Sequence, residues 1–201
     1  MKLYYSPGAC SLAPHIILRE LQIDFDLVKV DLFSKKTEFG DDFYTVSPHG
    51  RVPALQIDNQ EVLTESVAVL QYLADQNPSA ELAPENGTLK RARLQEVFNF
   101  LTSDVHKSFS PLFAGASEDE KQQAVKMIGS KFDFLNNLLS GKEYLVDDKF
   151  SVADAYLFVL LSWTYPTGIN LEQWPNLTTY FAKITGRTSV VEAMKAEGLS
   201  G

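Results

Sequence analysis

The chain holds a single cysteine, Cys10, three residues after Pro7 and directly ahead of the helix-patterned run from Ser11 to Leu21. A thiol at that place has two readings. It can pack as a small hydrophobe, the commoner fate of a free cysteine. It can also react, because unpaired N–H groups and the positive end of a helix favour a thiolate and lower its pKa. A C-x-x-C pair would need a second cysteine at position 13, where Ala13 stands. No dithiol cycle can therefore run within the chain, whereas a mixed disulfide with a small external thiol remains open.

Other residue types with chemical potential lie further along. In "GRVPAL", Pro53 enters a strand, and an X-Pro bond at such a place is ordinarily trans. Were it cis, the Val52 backbone would face outward and be free to pair with an extended, peptide-like ligand. In "LTESVAVL", Ser66 is a plausible helix N-cap, and Glu65 beside it is suited to a ligand ammonium. Asn99, Ser103 and His106 fall at i, i+4 and i+7 of one helical run, which predicts a shared polar stripe. Ser151 and Asp154 have the spacing of a capping box, with Asp in place of the usual Glu or Gln, and read as structural. His15 and His49 have no polar company in sequence and read as structural too.

The elements that must position these groups follow from periodicity. Residues 2–5 read as a strand, "PGA" as a turn, 11–21 as a helix and 25–33 as a second strand. This is a βαβ unit with a parallel pair and a right-handed crossover. "PALQI" and "EVL" are short strands with Asp58-Asn59-Gln60 as the tight turn between them, and 66–76 is an amphipathic helix. The expected fold is thus α/β at the start, βαβ then ββα on a mixed four-stranded sheet, over residues 1–77. A linker rich in proline and polar residues covers 78–87, and an all-α part covers 88–201, with helical runs at 88–112, 118–139, 151–164 and 174–196.

Composition sets outer limits. With 201 residues, 45% apolar and 22% charged, the chain has material for a sizeable core without disulfides or metals. A net charge of -8 and the lack of a dense basic block argue against nucleic acid or an anionic membrane as partner. The start shows no signal-peptide pattern, and "VADAYLFVLLSW" is too short and too interrupted to span a bilayer. The expected setting is a reducing cytoplasm, where a lone thiol survives.

Taken together, "SPGACSL", "RVPAL", "TES" and "SVADAYLF", with the α/β first part and helical second part, resemble the cytosolic bacterial glutathione transferases of the beta class over essentially the whole chain. The resemblance implies a thioredoxin-like first domain that binds glutathione, a homodimer, and a small electrophile as the second substrate, with no metal. By position it implies that Cys10 faces the glutathione sulfur and that Val52, before a cis Pro53, pairs with the cysteinyl part. It further implies that Glu65 and Ser66 hold the γ-glutamyl end, that Lys35 lies near the glycine carboxylate, and that Asn99, Ser103 and His106 line the cleft from the helical side. Cys10 and His106 are then the catalytic pair. Related classes use a hydroxyl to activate the thiol, which makes Ser11 the second candidate and Tyr5 the third. Two chemistries stay open, conjugation with Cys10 as hydrogen-bond donor and thiol exchange with Cys10 as nucleophile. A non-catalytic interaction protein of the stringent-starvation type is the alternative on the same fold.

Overall fold

A strand covered on both faces must be apolar throughout, and β1 (Lys2–Tyr5) is buried from Leu3 to Tyr5. In the computed structural model, which describes residues 1–58 and 61–199, β1 is accordingly the central strand. After β1 comes α1 (Leu12–Glu20), buried from Leu12 to Leu18 and packed against α2 and α9, with Pro14 tolerated in its first turn. Next, β2 (Asp26–Asp31) alternates buried Val28 and Val30 with exposed Lys29 and Asp31 and pairs parallel to β1, Leu3 opposite Leu27. A short β3 (Lys36–Thr37) runs antiparallel to β2, Thr37 opposite Val30. The ββα part follows as β4 (Ala54–Gln56), β5 (Val62–Thr64) and α2 (Ser66–Gln76). The sheet is mixed, in the order β3-β2-β1-β4-β5.

The expected four strands are therefore five. The added strand has only two residues, too few for an alternation to show, and it exists through its pairing with Val30 and Asp31. The hairpin expected at Asp58-Asn59-Gln60 has its tip outside the described residues; on either side, Leu55 pairs with Leu63.

The chain divides into two compact units, one made of Met1–Ala83 together with the chain from Gly186 on, the other of Pro84–Thr185. The second unit contains α3 (Leu89–Phe100), a π-helical segment (Leu101–His106), α4 (Ser110–Phe113) and α5 (Glu118–Leu138). It continues with α6 (Val152–Ser162), α7 (Thr164–Thr167) and α8 (Pro175–Thr185). α6 is buried on every side from Val152 to Leu161 and forms the axis of this unit. Its start is the expected capping box: Asp154 Oδ2 accepts from the Ser151 amide at 2.8 Å and from the Ser151 hydroxyl at 2.7 Å.

The helical run expected over 174–196 is two helices. Gly186 and Arg187 interrupt it, and α9 (Thr188–Ala196) packs against α1 in the first unit. The expected all-α part of 88–201 thus loses its last stretch to the α/β unit. Specific contacts hold it there: Arg187 pairs with Glu20, and the Ser189 hydroxyl donates to Glu20 Oε2 at 2.5 Å.

Candidate functional site

Cys10 sits in the turn between β1 and α1, partly exposed, with its Sγ 3.3 Å from the Val52 carbonyl, to which the thiol donates. The Val52–Pro53 peptide is cis. Ser66, from the start of α2, directs its hydroxyl at the same sulfur. Three separate stretches of the first unit, around Cys10, Val52 and Ser66, thus converge on one sulfur atom.

The electrostatics of that sulfur reverse the expectation. Burial pushes the Cys10 thiol above its ordinary pKa, and the Glu65 carboxylate adds to the rise. The Ser66 hydroxyl and the amides of Cys10 and Ser11 pull the other way, so the helix-start effect is present but outweighed by desolvation. Cys10 is a neutral thiol with a proton to donate.

Ser66 is the first residue of α2, not its N-cap as expected. Glu65 occupies the N-cap position with φ +70°, and no side chain caps the helix. A non-glycine residue at positive φ is held there by its surroundings. It carries the backbone from β5 abruptly into α2, which leaves the Ser66 hydroxyl free to reach Cys10 instead of folding back on its own helix.

Of the rival hydroxyls, that of Ser11 is engaged elsewhere and that of Tyr5 is held protonated. Ser11 is fully buried, and its hydroxyl accepts from the Ser6 amide at 3.2 Å and donates to the Ser6 carbonyl at 3.3 Å. Tyr5 is buried within β1 with its ring 6.3 Å from His15, and burial pushes its phenol above the ordinary value. Lys35, itself at positive φ, donates from Nζ to the Gly50 carbonyl at 2.9 Å. Gly50 has φ +58°, and a Cβ there would fall 2.9 Å from the Tyr44 ring and 3.2 Å from Lys35 Cδ, so only glycine fits this corner.

One set of contacts around the Cys10 turn escaped the sequence. Glu197 accepts from the Gly8 amide at 2.9 Å through Oε2 and meets His15 Nδ1 at 2.8 Å through Oε1. Both His15 and Glu197 side chains are fully buried. Arg19 Nε donates to His15 Nε2 at 3.4 Å, which makes Nε2 the acceptor and Nδ1–H the donor to Glu197. The turn carrying the thiol is therefore tied through Gly8 to the end of α9. His15 is structural as expected, but its partner lies 182 residues away, and no local pattern links the two.

In the second unit the expected stripe of Asn99, Ser103 and His106 does not hold. The segment Leu101–His106 is π-helical, so the spacing of an α-helix no longer applies across it. Asn99 and Ser103 are exposed, and the Ser103 hydroxyl donates to the Asn99 carbonyl at 2.6 Å. His106 instead turns inward: Nδ1 lies 2.6 Å from the Tyr156 hydroxyl, and the ring stands edge-on to Trp163 with centroids 4.8 Å apart. Burial lowers its pKa, so the imidazole is neutral near pH 7. Phe109 and Phe113 also pack edge-on against Trp163, and Phe113 is exposed. Among the described residues no group of three or more His, Cys, Asp and Glu side chains is arranged to hold a metal. Likewise no helix is long and apolar enough to cross a membrane.

Comparisons with known proteins match both units. The family model described as the N-terminal domain of glutathione S-transferase matches residues 8–76, and that of the C-terminal domain matches residues 66–188. Over 200 residues, 99% of this chain and 100% of the relative, the sequence is 41% identical to glutathione S-transferase GstA of Escherichia coli O157:H7. The beta-class glutathione S-transferase of Sphingomonas chungbukensis has a solved structure that superposes with a TM-score of 0.97 at 52% identity, covering 100% of both chains. A sphingomonad glutathione S-transferase complexed with glutathione superposes with a TM-score of 0.96 at 50% identity, again covering 100% of both.

Proposed function

The chain belongs to the glutathione S-transferase family, and from that membership we infer that its reaction is conjugation, with Cys10 donating a hydrogen bond to the glutathione sulfur. The family relation favours a glutathione-dependent transferase over the non-catalytic, stringent-starvation alternative. The observation that carries the finer reading is the protonated Cys10 thiol, already donating to Val52 and held neutral by burial. A nucleophilic cysteine for thiol exchange needs the opposite, a thiolate stabilised at neutral pH. A neutral thiol can stabilise a thiolate that forms on the bound tripeptide, and the gain is larger where water is excluded. The sulfur of that tripeptide then attacks an electrophilic carbon and the leaving group departs with its bonding pair.

The remaining assignments belong to the same reading. The Val52 backbone pairs with the cysteinyl part of glutathione, and Glu65 and Ser66 receive the γ-glutamyl end. Lys35, positioned by Gly50, takes the glycine carboxylate. Asn99 and Ser103 offer polar contacts, and His106 is a second donor to the sulfur. The exposed Phe113 ring beside Trp163 suits an apolar or aryl electrophile. A homodimer in the cytoplasm completes the reading. Exposed Phe134, packed edge-on against Phe100, and exposed Met127 supply apolar surface for a second copy.

The test compares Cys10→Ser with Cys10→Ala, on an aryl halide with glutathione and on a mixed disulfide. The reading expects serine, which keeps a donor, to retain most conjugation while alanine loses it. If serine and alanine both retain conjugation in full but abolish exchange, Cys10 is the nucleophile of a thiol-exchange enzyme instead.

A further inference from the structure

Tyr156 stands in the middle of α6, almost fully buried, with its ring 6.4 Å from Phe98 and its hydroxyl 2.6 Å from His106 Nδ1. A phenol this deep in an apolar core must satisfy its hydroxyl. A nonpolar ring would fill the same space without that demand. The hydroxyl therefore has a purpose at its far end, on His106.

We propose that Tyr156 is a positioning residue for the transferase reaction: its hydroxyl donates to His106 Nδ1, fixing the neutral imidazole in the tautomer that carries its proton on Nε2. The inference rests on His106 being a donor to the glutathione sulfur. A phenol is the stronger acid of the two and a neutral imidazole nitrogen the stronger base, so the bond runs from oxygen to nitrogen. With Nδ1 occupied as acceptor, the remaining N–H is at Nε2. In the other tautomer Nε2 would be a lone pair, which repels a thiolate.

Two further observations support the placement. The π-helical segment ends at His106 and its widened turn is secured by hydroxyls on both sides. Thr102 donates to the Phe98 carbonyl at 2.9 Å, Ser103 to Asn99 at 2.6 Å and Ser108 to Asp104 at 2.7 Å. π turns inside helices are frequent at functional sites. Trp163 then closes on the imidazole from a second direction, its ring at 76° to it. Hydrogen bond, backbone irregularity and packing all act on the same ring, as a preorganised donor requires.

The test is the variant Tyr156→Phe, which keeps the ring and removes only the hydroxyl. Nitrogen NMR of the His106 ring reads the tautomer directly, and kcat and KM are measured with His106→Ala and the double variant alongside. The expected wild-type spectrum shows the proton on Nε2, and Tyr156→Phe shows a mixture. Its kcat falls about 10-fold, a part of the ~100-fold that a positioned donor carries, with the KM for glutathione little changed. That loss disappears when His106 is already alanine. A wild-type ring protonated on Nδ1, or ring signals untouched by Tyr156→Phe, overturns the proposal whatever His106→Ala does. A changed tautomer with kcat/KM unaltered in both single variants overturns it differently, by removing His106 from the reaction. If Tyr156→Phe did not fold, the wild-type spectrum alone would still decide the tautomer.

Discussion

Asp154→Ala takes the acceptor from four buried donors, two of which have no substitute. Oδ1 accepts from the Leu145 amide at 2.9 Å and the Tyr180 hydroxyl at 2.8 Å, and Oδ2 from the Ser151 amide and hydroxyl. The hydroxyls can turn to other acceptors; Tyr180 already lies 3.4 Å from the Asp154 carbonyl. The two amides cannot turn, and a buried amide without a partner costs about 1–3 kcal/mol. The expected loss is therefore about 4 kcal/mol for alanine and about 1–2 kcal/mol for Asp154→Asn, which keeps one acceptor oxygen. Burial raises the carboxyl's pKa, with the hydrogen bonds from Leu145, Ser151 and Tyr180 opposing it. An acid whose folded pKa is raised contributes stability in full below its unfolded value and loses it as the pH climbs through the folded value. The gap between wild type and Asp154→Asn should accordingly be widest in acid and narrow toward neutrality. Equilibrium urea unfolding across the acidic range measures both effects, and calorimetry gives glutathione affinity, which should stay within about twofold because no ligand group of the first unit is touched. An alanine penalty below about 1 kcal/mol, or an asparagine variant as unstable as alanine, would refute the argument that stranded amides dominate.

Three other perturbations address the first unit. Alkylation of Cys10 should show its midpoint above the ~8.5 of a free cysteine, higher still in Ser66→Ala and lower in Glu65→Gln; a midpoint below that value contradicts the burial argument. Gly50→Ala should cost about 1–2 kcal/mol from the positive φ and displace Tyr44 and Lys35, read as a lower unfolding midpoint with weakened glutathione binding; unchanged binding would detach Lys35 from the site. Glu197→Gln should lower stability by about 1–3 kcal/mol by weakening the bonds to His15 and the Gly8 amide, and an unaltered melting temperature would show the pair to be idle.

What could be read from the sequence was what local pattern controls. The apolar spacing of α1, the alternation of Val28 and Val30 and the Ser151-to-Asp154 interval each encode their geometry within a few residues. Several features lacked any such encoding. β3 is two residues long and exists by pairing. The division at Gly186 follows from α9 docking on α1, a tertiary preference that periodicity cannot carry. The sign of the Cys10 shift depends on how much of the chain covers the sulfur, which competes with the helix-start effect that sequence does reveal. The π turn removed His106 from the stripe expected with Asn99 and Ser103, and Tyr156 is 50 residues from the imidazole it meets. A second capping box, Ser117 with Glu120, starts α5 and went unread in the sequence.

The first unit is built from two distant stretches of chain, and this sets the order of events during synthesis. β1, the Cys10 turn and α1 leave the ribosome early, yet the carboxylate that secures Gly8 and His15 arrives 182 residues after His15. Everything between Pro84 and Thr185 has been translated before then. The entropy of closing so long a loop grows only with the logarithm of its length, so the delay is chiefly one of translation time. The thiol-bearing turn is consequently locked only after the whole of Pro84–Thr185 has been made. A chain interrupted anywhere before residue 197 leaves that turn without its anchor, whatever the state of its helices.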